Sequence, residues 1–367
     1  MKHRYNIHIE PSKLKPGVSG FMRVKNDAQY IEGCVESCIS ALDELIIVWN
    51  DCSDNSAKVI EEVRMKYPSK IKTFEYKPKV YSVNLTKEEY EFIKAEPDSS
   101  DHLLCNYYNF ALSKVTHQYA MKIDADQYYY PEKLKKWCDV CRSTHTRLSV
   151  AVLLGFIIWG ARLYFDRKTQ KSEKVYPWIP KDVTGIIGYF YNKYVEYRIQ
   201  KYGESVSLSG LDVVRKEDNW YVTLGKKNEI INILPPYNGV GDHLIFKLSE
   251  DTHFRRDDCE FYNTLRSDSF TYIEWLVHNK RSHYVGSCWY HLNAMRRGTY
   301  EKILKAFDSY PDSLCEIHKF SKSRYLKQIL PLMDKSMFVP YQNSLFQFIH
   351  QVFYRDLIKY LFVLKNI

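Results

Sequence analysis

The sequence has no long apolar run. Although 45% of its 367 residues are apolar, no stretch reaches the roughly 18 apolar residues that a membrane-spanning helix needs. The stretch Val150 to Trp159 has the length of a buried strand. Met1 to Gly20 also contains no apolar core of signal-peptide length, so a cytoplasmic location is expected.

Cysteine gives no sign of a disulfide framework or of a zinc site. The nine cysteines are odd in number, which is typical of free thiols in a reducing compartment. Cys138 and Cys141 have the spacing of a redox or zinc pair, but they lie in a segment that reads as a helix begun by Pro131. Because no second cysteine or histidine pair stands at zinc spacing, structural cysteines are expected.

Basic residues and tyrosine are abundant. The formal charge is +9, with an isoelectric point near 8.8, which allows a nucleotide, an anionic lipid surface or nucleic acid as partner. The 31 tyrosines suit sugar faces, interfaces and membrane boundaries, and equally suit ordinary packing. Composition alone does not choose among these partners.

Two carboxylates end a short apolar run in the first half of the chain. The run Tyr119 to Gln127 contains Asp124 and Asp126, one residue apart. Since side chains at i and i+2 of a strand point the same way, both carboxylates are predicted to face one bound ion. Oxygen ligands at the carboxyl end of a buried strand suit Mg²⁺ or Mn²⁺ carrying a diphosphate. The alternative is a strand end that meets an ordinary turn.

Strands and helices alternate around this run. A first strand begins at Val18, a helical face of apolar residues begins at Tyr30, and Leu45 to Trp49 is a continuous apolar run typical of a parallel sheet. Lys77 to Ser100 is predicted as a loop with one short helix. The alternation predicts an α/β fold with a Rossmann-like, mostly parallel sheet and helices on both faces, over roughly the first 145 residues.

Three segments in register resemble the donor half of GT-A glycosyltransferases of the family 2 type, namely Phe21 to Asp27, Asp43 to Ser56 and Lys122 to Asp126. That family typically carries an Arg-Asn pair whose asparagine precedes the first aspartate of the Asp-x-Asp motif by fifteen residues. Asn109 stands at that position and Tyr108 replaces the arginine. The resemblance implies a GT-A fold and the transfer of a sugar from a nucleotide donor.

The resemblance also implies roles for individual residues. Asp51 would hold the nucleotide base, while Asp124 and Asp126 would take ribose and metal. Asp54 has an alternative role as a helix cap, because Asp-Asn-Ser is a good capping sequence. The residues implied to bind the nucleotide are Arg23, Asn26, Asp51, Asp54, Asn109 and Asp124.

A later segment, Cys288 to Gly298, resembles the GT-A region in which a histidine completes the metal site. His291 is therefore implied as a metal ligand, with His283 as the runner-up. Arg296 and Arg297 are implied as diphosphate contacts. Because a lone histidine is commonly structural, that alternative stays open.

Two carboxylates compete for the general base of an inverting transferase. Asp242 follows a loop rich in proline and glycine and is expected to open a helix, which resembles the family's Glu-Asp motif except that Gly241 replaces the glutamate. Asp218, the runner-up, keeps the Glu-Asp dipeptide but lies between two expected strands, where a tight turn explains it. The alternative role for Asp242 is an N-cap carboxylate.

Beyond Gly298 the apolar spacing becomes helical. One apolar stripe runs from Leu345 to Leu364, and from Lys319 onward eight Lys or Arg stand against two Asp or Glu. A basic helix of this kind can lie on an anionic membrane surface. It can equally pack on the enzyme's own core or on a partner subunit, as most such helices do.

These features together predict three regions: residues 1–145 bind the donor, residues 146–300 bind the acceptor, and residues 301–367 form a C-terminal helical extension. The predicted enzyme is a Mn²⁺- or Mg²⁺-dependent hexosyl- or N-acetylhexosaminyltransferase. It would move the sugar of a nucleoside diphosphate sugar, expected to be UDP-linked, to a hydroxyl of a growing surface glycan of the lipopolysaccharide or capsule type, with inversion. No nucleic-acid partner is expected, and the C-terminal helix would make the protein peripheral on the cytoplasmic face of a membrane.

Two other functions are weighed against this one. A sugar-phosphate nucleotidyltransferase also uses a Rossmann-like sheet and a divalent ion, but it usually needs a glycine-rich loop near the N-terminus, and Val18 to Asn26 has only Gly20. A sugar-nucleotide-binding scaffold without turnover is the non-catalytic alternative, favoured by the departures at Tyr108 and Gly241.

Overall fold

The computed structural model describes residues 5, 7–144, 146–172, 185–223, 237–257, 270–295, 301 and 314–317. The helices are α1 (Ala28–Cys38), α2 (Ser56–Lys66), α3 (Lys87–Ala95), α4 (Leu104–Leu112), α5 (Pro131–Arg142), α6 (Val150–Ser172) and α7 (Gly185–Tyr202). The strands are β1 (Lys15–Val24), β2 (Glu44–Trp49), β3 (Ile71–Glu75), β4 (His117–Asp124), β5 (Gln127–Tyr129), β6 (Ser205–Lys216), β7 (Asn219–Thr223), β8 (Tyr237–Lys247), β9 (His253–Asp257), β10 (Ile273–Val277), β11 (Ser282–His291) and β12 (Leu314–Glu316).

The first of two compact units comprises the described residues of 1–125 together with 245–281. In its sheet β1 pairs in parallel with both β2 and β4, and β2 pairs in parallel with β3. The last residues of β8, from Ile245, run antiparallel to β4. This order confirms the predicted mostly parallel α/β sheet, and β9 and β10 add an antiparallel hairpin.

Apolar periodicity explains the elements of this unit. The buried side chains of α1 include Tyr30, Ile31, Cys34 and Val35, which recur at the helical spacing seen in the sequence. The residues of β2 from Glu44 to Val48 are all buried, as expected for a strand covered on both faces. Each fully buried Val, Leu or Ile side chain stabilises the fold by about 1.5–3 kcal/mol.

Glu44, the first residue of β2, ties three strands together. Its carboxylate accepts hydrogen bonds from the Ser19 hydroxyl of β1 (2.6 Å) and from the backbone N–H of Thr116, directly before β4 (2.5 Å). The Lys72 ammonium of β3 donates to its other oxygen (2.8 Å). A buried carboxylate with this many donors is stable as an anion.

The second unit comprises the described residues of 126–244 and those from 282 onward. Strand β11 pairs in parallel with β6 and antiparallel with β5. Strand β7 pairs antiparallel with both β6 and β12. Helix α7 packs against α5 and α6. The boundary between the two units lies near residue 125, and residues 245–281 belong to the first unit. The sequence instead predicted boundaries at 145 and 300. The functions predicted for those regions stay predictions.

The expectation of a buried strand at Val150 to Trp159 is wrong, because these residues form the first half of α6. A short apolar run cannot be distinguished from part of a helix by periodicity alone, and this helix continues for 23 residues. Gly155 explains how α6 approaches α7: a Cβ there would lie 2.1 Å from the carbonyl oxygen of Phe190.

Three further predictions concern the insertion after β3, membrane-spanning helices and the C-terminal helix. The insertion Lys77 to Ser100 does contain one short helix, α3, which begins at a capping box formed by Thr86 and Glu89. Among the described helices, none is long and apolar enough to cross a membrane. The stripe Leu345 to Leu364 of the predicted C-terminal helix lies outside the described residues.

Candidate active site

The loops that follow β1 and β2 are joined at the carboxyl edge of the first unit's sheet. Asn26 and Asp51 both adopt left-handed backbone conformations, with φ of 57° and 45°, which asparagine and aspartate tolerate better than most residues. The side-chain oxygen of Asn26 accepts a hydrogen bond from the backbone N–H of Ser53 (2.7 Å). Lys25 Nζ lies 3.3 Å from the exposed Asp51 carboxylate. This edge is where open α/β sheets bind ligands.

Asp54 caps two helices at this edge. Its carboxylate accepts hydrogen bonds from the backbone N–H of Ser56 (2.9 Å) and from that of Ala28 (3.1 Å), the first residues of α2 and α1. Burial raises the pKa of Asp54, but these hydrogen bonds outweigh it and lower the pKa below its ordinary value. Asp54 therefore has the capping role that the sequence offered as its alternative, and its nucleotide role stays a prediction.

Arg23, near the end of β1, is a desolvated cation. Its guanidinium carbon lies 5.1 Å from the centre of the Tyr108 ring, and its buried Nε has no hydrogen-bond partner among the residues that the structure describes. Burial opposes the charge, yet Tyr108, Glu274 and Asp124 together raise the pKa of Arg23 above its ordinary value. An N–H donor of this kind is suited to a phosphate or carbonyl oxygen of a ligand.

Lys122 and Glu274 extend this cluster, and the sequence did not predict either. Lys122 Nζ lies 2.9 Å from the Glu274 carboxylate and 3.8 Å from that of Asp124. It also lies 5.1 Å from the centre of the Tyr108 ring. Glu274 belongs to β10 and follows Lys122 by 152 residues in the sequence. No motif in the sequence indicates this contact.

Asn109 connects α4 to β9. Its amide nitrogen donates to the carbonyl oxygen of Phe254 (2.8 Å), and its amide oxygen accepts from the backbone N–H of the same residue (2.7 Å). The side chain is fully buried. Both ends of the amide are thus engaged with backbone, and the nucleotide contact implied for Asn109 stays a prediction.

Asp124 and Asp126 do not share a strand, so the predicted common strand face is wrong. The pairing of β1 with β4 ends where Arg23 stands opposite Asp124. Past that point no described strand pairs with β4, and Ala125 and Asp126 form a turn. Asp124 is the last residue of β4 in the first unit, whereas Asp126 begins the second unit.

Within the second unit, Asp126, Asp212 and His291 come together. His291 ends β11 and stands opposite Asp212 of β6 in the parallel register. Its Nδ1 lies 2.7 Å from the Asp212 carboxylate, and its Nε2 lies 3.6 Å from the buried Asp126 carboxylate. The backbone N–H of Leu292 donates to the carbonyl oxygen of Asp126 (2.8 Å) and fixes the turn. An Nδ1–H that donates to Asp212 directs the Nε2 lone pair toward Asp126.

This arrangement fits part of a metal site. No group of three His, Cys, Asp or Glu side chains arranged to hold an ion is found in the part of the chain that the structure describes. Asp126 and His291 nevertheless offer an oxygen and a nitrogen donor close enough to share one ion, and Mg²⁺ or Mn²⁺ commonly completes its coordination with substrate phosphates and water. The runner-up His283 lies elsewhere in the unit, buried and bonded to Glu204.

One candidate for the general base lies in a strand and the other in a hairpin turn. Asp242 is in β8, so the helix expected to begin there is wrong; the following residues pair with β4, as Ile245 does with Met121. Asp218 lies at the fully exposed tip of the β6–β7 hairpin, as the tight-turn alternative expected, next to Glu217 with φ of 55°. Its carboxylate lies 3.7 Å from Arg215. Arg296 and Arg297 lie outside the described residues.

The first half of the chain, which carries the parallel α/β sheet, is similar to a known glycosyltransferase family. Residues 8–174 match the model of a family described as beta-1,4-N-acetylgalactosaminyltransferase (CgtA). The match covers less than half of the chain and includes the predicted donor half, whose motifs resemble those of GT-A glycosyltransferases. No curated protein matches the sequence.

Several solved structures resemble part of the chain. They include the mannosyltransferase PcManGT from Pyrobaculum calidifontis in complex with GDP-Man and Mn²⁺, with 18% identity, 36% of this chain and 34% of that chain covered, and a TM-score of 0.23. TarS 1-349 from S. aureus in complex with UDP has 18% identity, coverages of 34% and 31%, and a TM-score of 0.22. Glucosyl-3-phosphoglycerate synthase from Mycobacterium tuberculosis, with Mn²⁺, UDP and glucosyl-3-phosphoglycerate, has 14% identity, coverages of 32% and 36%, and a TM-score of 0.20. The chain thus spans about a third of the length of each.

Proposed function

We propose that the protein transfers a sugar from a nucleoside diphosphate sugar, with UDP as the expected nucleotide, to a hydroxyl of a growing surface glycan. The observation that carries the proposal is His291, whose Nδ1 is bonded to Asp212 while its Nε2 faces Asp126. A histidine held in one tautomer by a carboxylate is the usual form of a metal-ligating histidine. Mn²⁺ or Mg²⁺ held by Asp126 and His291 would neutralise the charge of the departing diphosphate.

The first unit supplies groups that suit the nucleotide. Asp51 presents an exposed carboxylate at the end of β2, suited to accept hydrogen bonds from the base. Asp124 is suited to accept from the ribose hydroxyls. The buried Nε of Arg23, which donates to no described group, is suited to donate to a carbonyl or phosphate oxygen of the sugar nucleotide. These roles are proposals that rest on the geometry of each residue and on the resemblance of the surrounding motifs.

The family whose model matches is named for the transfer of N-acetylgalactosamine, so UDP-N-acetylgalactosamine is the first donor to test in a panel of nucleotide sugars. We expect slow hydrolysis of one donor in the presence of Mn²⁺ and none without it. Formation of a nucleotide sugar from a nucleoside triphosphate and a sugar phosphate would instead identify a nucleotidyltransferase. Binding without any turnover would identify a scaffold.

The metal assignment is tested by titrating UDP into the protein with and without Mn²⁺. Asp126→Ala should lose the Mn²⁺-dependent part of the UDP affinity, because it removes one of the two donors on the described residues. The variant must keep the melting temperature of the wild type, since Asp126 is buried. If Asp126→Ala binds UDP with unchanged Mn²⁺ dependence, the metal assignment is wrong.

Transfer with inversion needs a base for the acceptor hydroxyl, and we assign this role to Asp242, with Asp218 as runner-up. Asp242→Asn should lower turnover by roughly 10²–10⁴-fold, since the amide cannot take the proton, and should leave UDP binding unchanged. Asp218→Asn is the matched variant. The reverse pattern, with Asp218 essential and Asp242 dispensable, would exchange the two assignments; normal turnover in both would favour a retaining mechanism.

A further inference from the structure

Two helices of the second unit expose a large apolar surface. Val150 is 73% exposed, Ile157 of α6 is 65% exposed, and Ile186 of α7 is 72% exposed. We call this set the α6–α7 apolar surface; its members are Val150, Leu153, Leu154, Phe156, Ile157, Ile186, Ile187 and Tyr189. Single exposed apolar residues are ordinary, but a contiguous group of this size marks an interaction site.

No charge interrupts this surface along either helix. The twelve residues 150–161 of α6 and the eight residues 185–192 of α7 contain no Asp, Glu, Lys or Arg. A helix that only covers a soluble core carries polar residues on its outer face. These segments are apolar on the outer face as well, so their surroundings are not expected to be water alone.

Helix α6 approaches α7 closely at Gly155 and exposes large apolar residues beside this contact. Gly155 and Val152 are buried, and a Cβ on Gly155 would lie 2.1 Å from the Phe190 carbonyl oxygen and 2.6 Å from Cβ of Tyr194. Leu153, Phe156 and Ile157 are exposed, and the ring of Phe156 also packs beside that of Tyr194 in α7, with 5.8 Å between the ring centroids. A glycine at a close helix contact, with large apolar residues exposed beside it, is common among helices in lipid.

The length of the uncharged segment of α6 and the charge of the residues after it indicate how this helix would bind lipid. Twelve helical residues extend about 18 Å, well short of the roughly 30 Å hydrocarbon core of a bilayer, so the segment suits insertion into one interface. The second half of α6 is basic in sequence, with Arg162, Arg167, Lys168 and Lys171 against one acidic residue, Asp166. Basic residues next to an apolar segment complement anionic headgroups, and the chain as a whole carries +9.

We propose that the α6–α7 apolar surface docks on the interface of an anionic phospholipid bilayer. The apolar half of α6 and the start of α7 enter the boundary between headgroups and acyl chains, and the basic half of α6 stays at the level of the phosphates. The residues of this contact are not among those assigned to the donor, to the metal or to the C-terminal stripe. It would bring the enzyme to acceptors that are attached to lipid.

The test is co-sedimentation of the full-length protein with phosphatidylcholine vesicles, with and without phosphatidylglycerol. We expect binding that requires phosphatidylglycerol and weakens in salt. The double variant Leu153→Asp/Ile157→Asp should bind at least about tenfold more weakly, because aspartate is costly to bury in lipid. Ile157→Trp should bind more tightly, since tryptophan favours the interface. The matched control is Met65→Asp, at a 61% exposed methionine of α2 in the first unit, which should bind like the wild type.

Each result decides the proposal. Wild-type protein that ignores anionic vesicles, or an aspartate variant that binds them as the wild type does, overturns it. A wild type that is dimeric by light scattering and an aspartate variant that is monomeric, with equal vesicle binding, would assign the surface to a second copy instead. Donor hydrolysis in solution should be unchanged in all variants, so failure of the membrane proposal and failure of the proposed function are distinguishable. Should the double variant melt early, Ile157→Trp still decides the matter.

Discussion

Tyr108 stands where the GT-A family that the chain resembles carries arginine. Its ring centre lies 5.1 Å from the Arg23 guanidinium carbon and 5.1 Å from Lys122 Nζ. Two cations therefore flank the ring that replaces one cation, and such contacts contribute about 0.5–2 kcal/mol each. The replacement of arginine by Tyr108 was visible in the sequence, but the two cations that contact its ring were not. Arg23 and Lys122 meet the ring only because β1 and β4 pair in parallel in one particular register.

The same limit applies to the candidate metal site. The sequence identified Asp126 and His291 from motifs, but it missed Asp212, whose only signal is that it is the one acidic residue of β6. The contact between His291 and Asp212 joins residues 79 positions apart and depends on the register of β11 with β6. Local patterns predict which residues have the right chemistry, whereas register decides which of them meet.

At this scale we predict that Asp212→Asn weakens Mn²⁺ binding. The amide carries no charge and no longer fixes the tautomer of His291, and losses of this kind typically cost 10–100-fold in metal affinity. The measurement is the Mn²⁺ concentration that gives half of the Mn²⁺-dependent UDP affinity. Asp139→Asn, at a surface carboxylate of α5 paired with Lys135 and Arg142, is the matched control and should leave that concentration unchanged. An unaltered value in Asp212→Asn would assign His291 a structural ion pair only.

Among the elements, the parallel strands were the most predictable and α6 the least. Continuous apolar runs such as Leu45 to Trp49 are typical of buried parallel strands, and β2 confirms that reading. The run Val150 to Trp159 looks alike in sequence, yet it is helical and largely exposed. The rule that apolar runs of this length are buried strands assumes a protein core around them, and that assumption fails for α6. The turn at Ala125 and Asp126 similarly depends on where β1 stops offering a partner.

The carboxylate of Glu44 gives a prediction at the scale of the sheet. Burial raises the pKa of Glu44, but hydrogen bonds from Lys72, Ser19 and Thr116 outweigh burial and lower the pKa to about 2. Because the folded-state pKa is depressed, the stabilisation is fully present above the unfolded value of about 4.5 and is lost as the pH falls toward 2. The shift corresponds to about 3 kcal/mol at neutral pH.

Glu44→Gln should therefore unfold at lower urea concentration than the wild type at pH 7, and the difference should shrink between pH 4.5 and pH 2. Urea unfolding followed by circular dichroism over this pH range measures both effects. Glu61→Gln, which removes an exposed carboxylate paired with Arg64 on α2, is the control and should change little. A Glu44→Gln protein as stable as the wild type at pH 7 would show that the three strands do not need this charge.

At the scale of the whole molecule, chain order and spatial order differ. Residues 245–281 belong to the first unit, where the backbone of Phe254 both donates to and accepts from the Asn109 amide and Glu274 lies next to Lys122. The sequence predicted that this segment belongs to the acceptor half, because nothing in its composition indicates that it packs in the first unit. The βαβ units could be predicted because their contacts are local. The contributions of β9 and β10 could not, because they depend on long-range packing.

The charge of the whole chain leads to a last prediction, on the C-terminal stripe from Leu345 to Leu364. Removing the residues beyond Val339 should lower binding to phosphatidylglycerol vesicles while leaving turnover of a soluble acceptor unchanged, because the region from Lys319 onward has eight basic residues against two acidic ones.

If the α6–α7 apolar surface binds the same bilayer, the two contacts reinforce each other through effective concentration. Truncation alone should then leave residual binding that Leu153→Asp/Ile157→Asp removes. Co-sedimentation of the truncated, substituted and combined variants measures this. Aggregation of the truncated protein, or vesicle binding equal to that of the intact chain, would show that the stripe packs against protein and not against lipid.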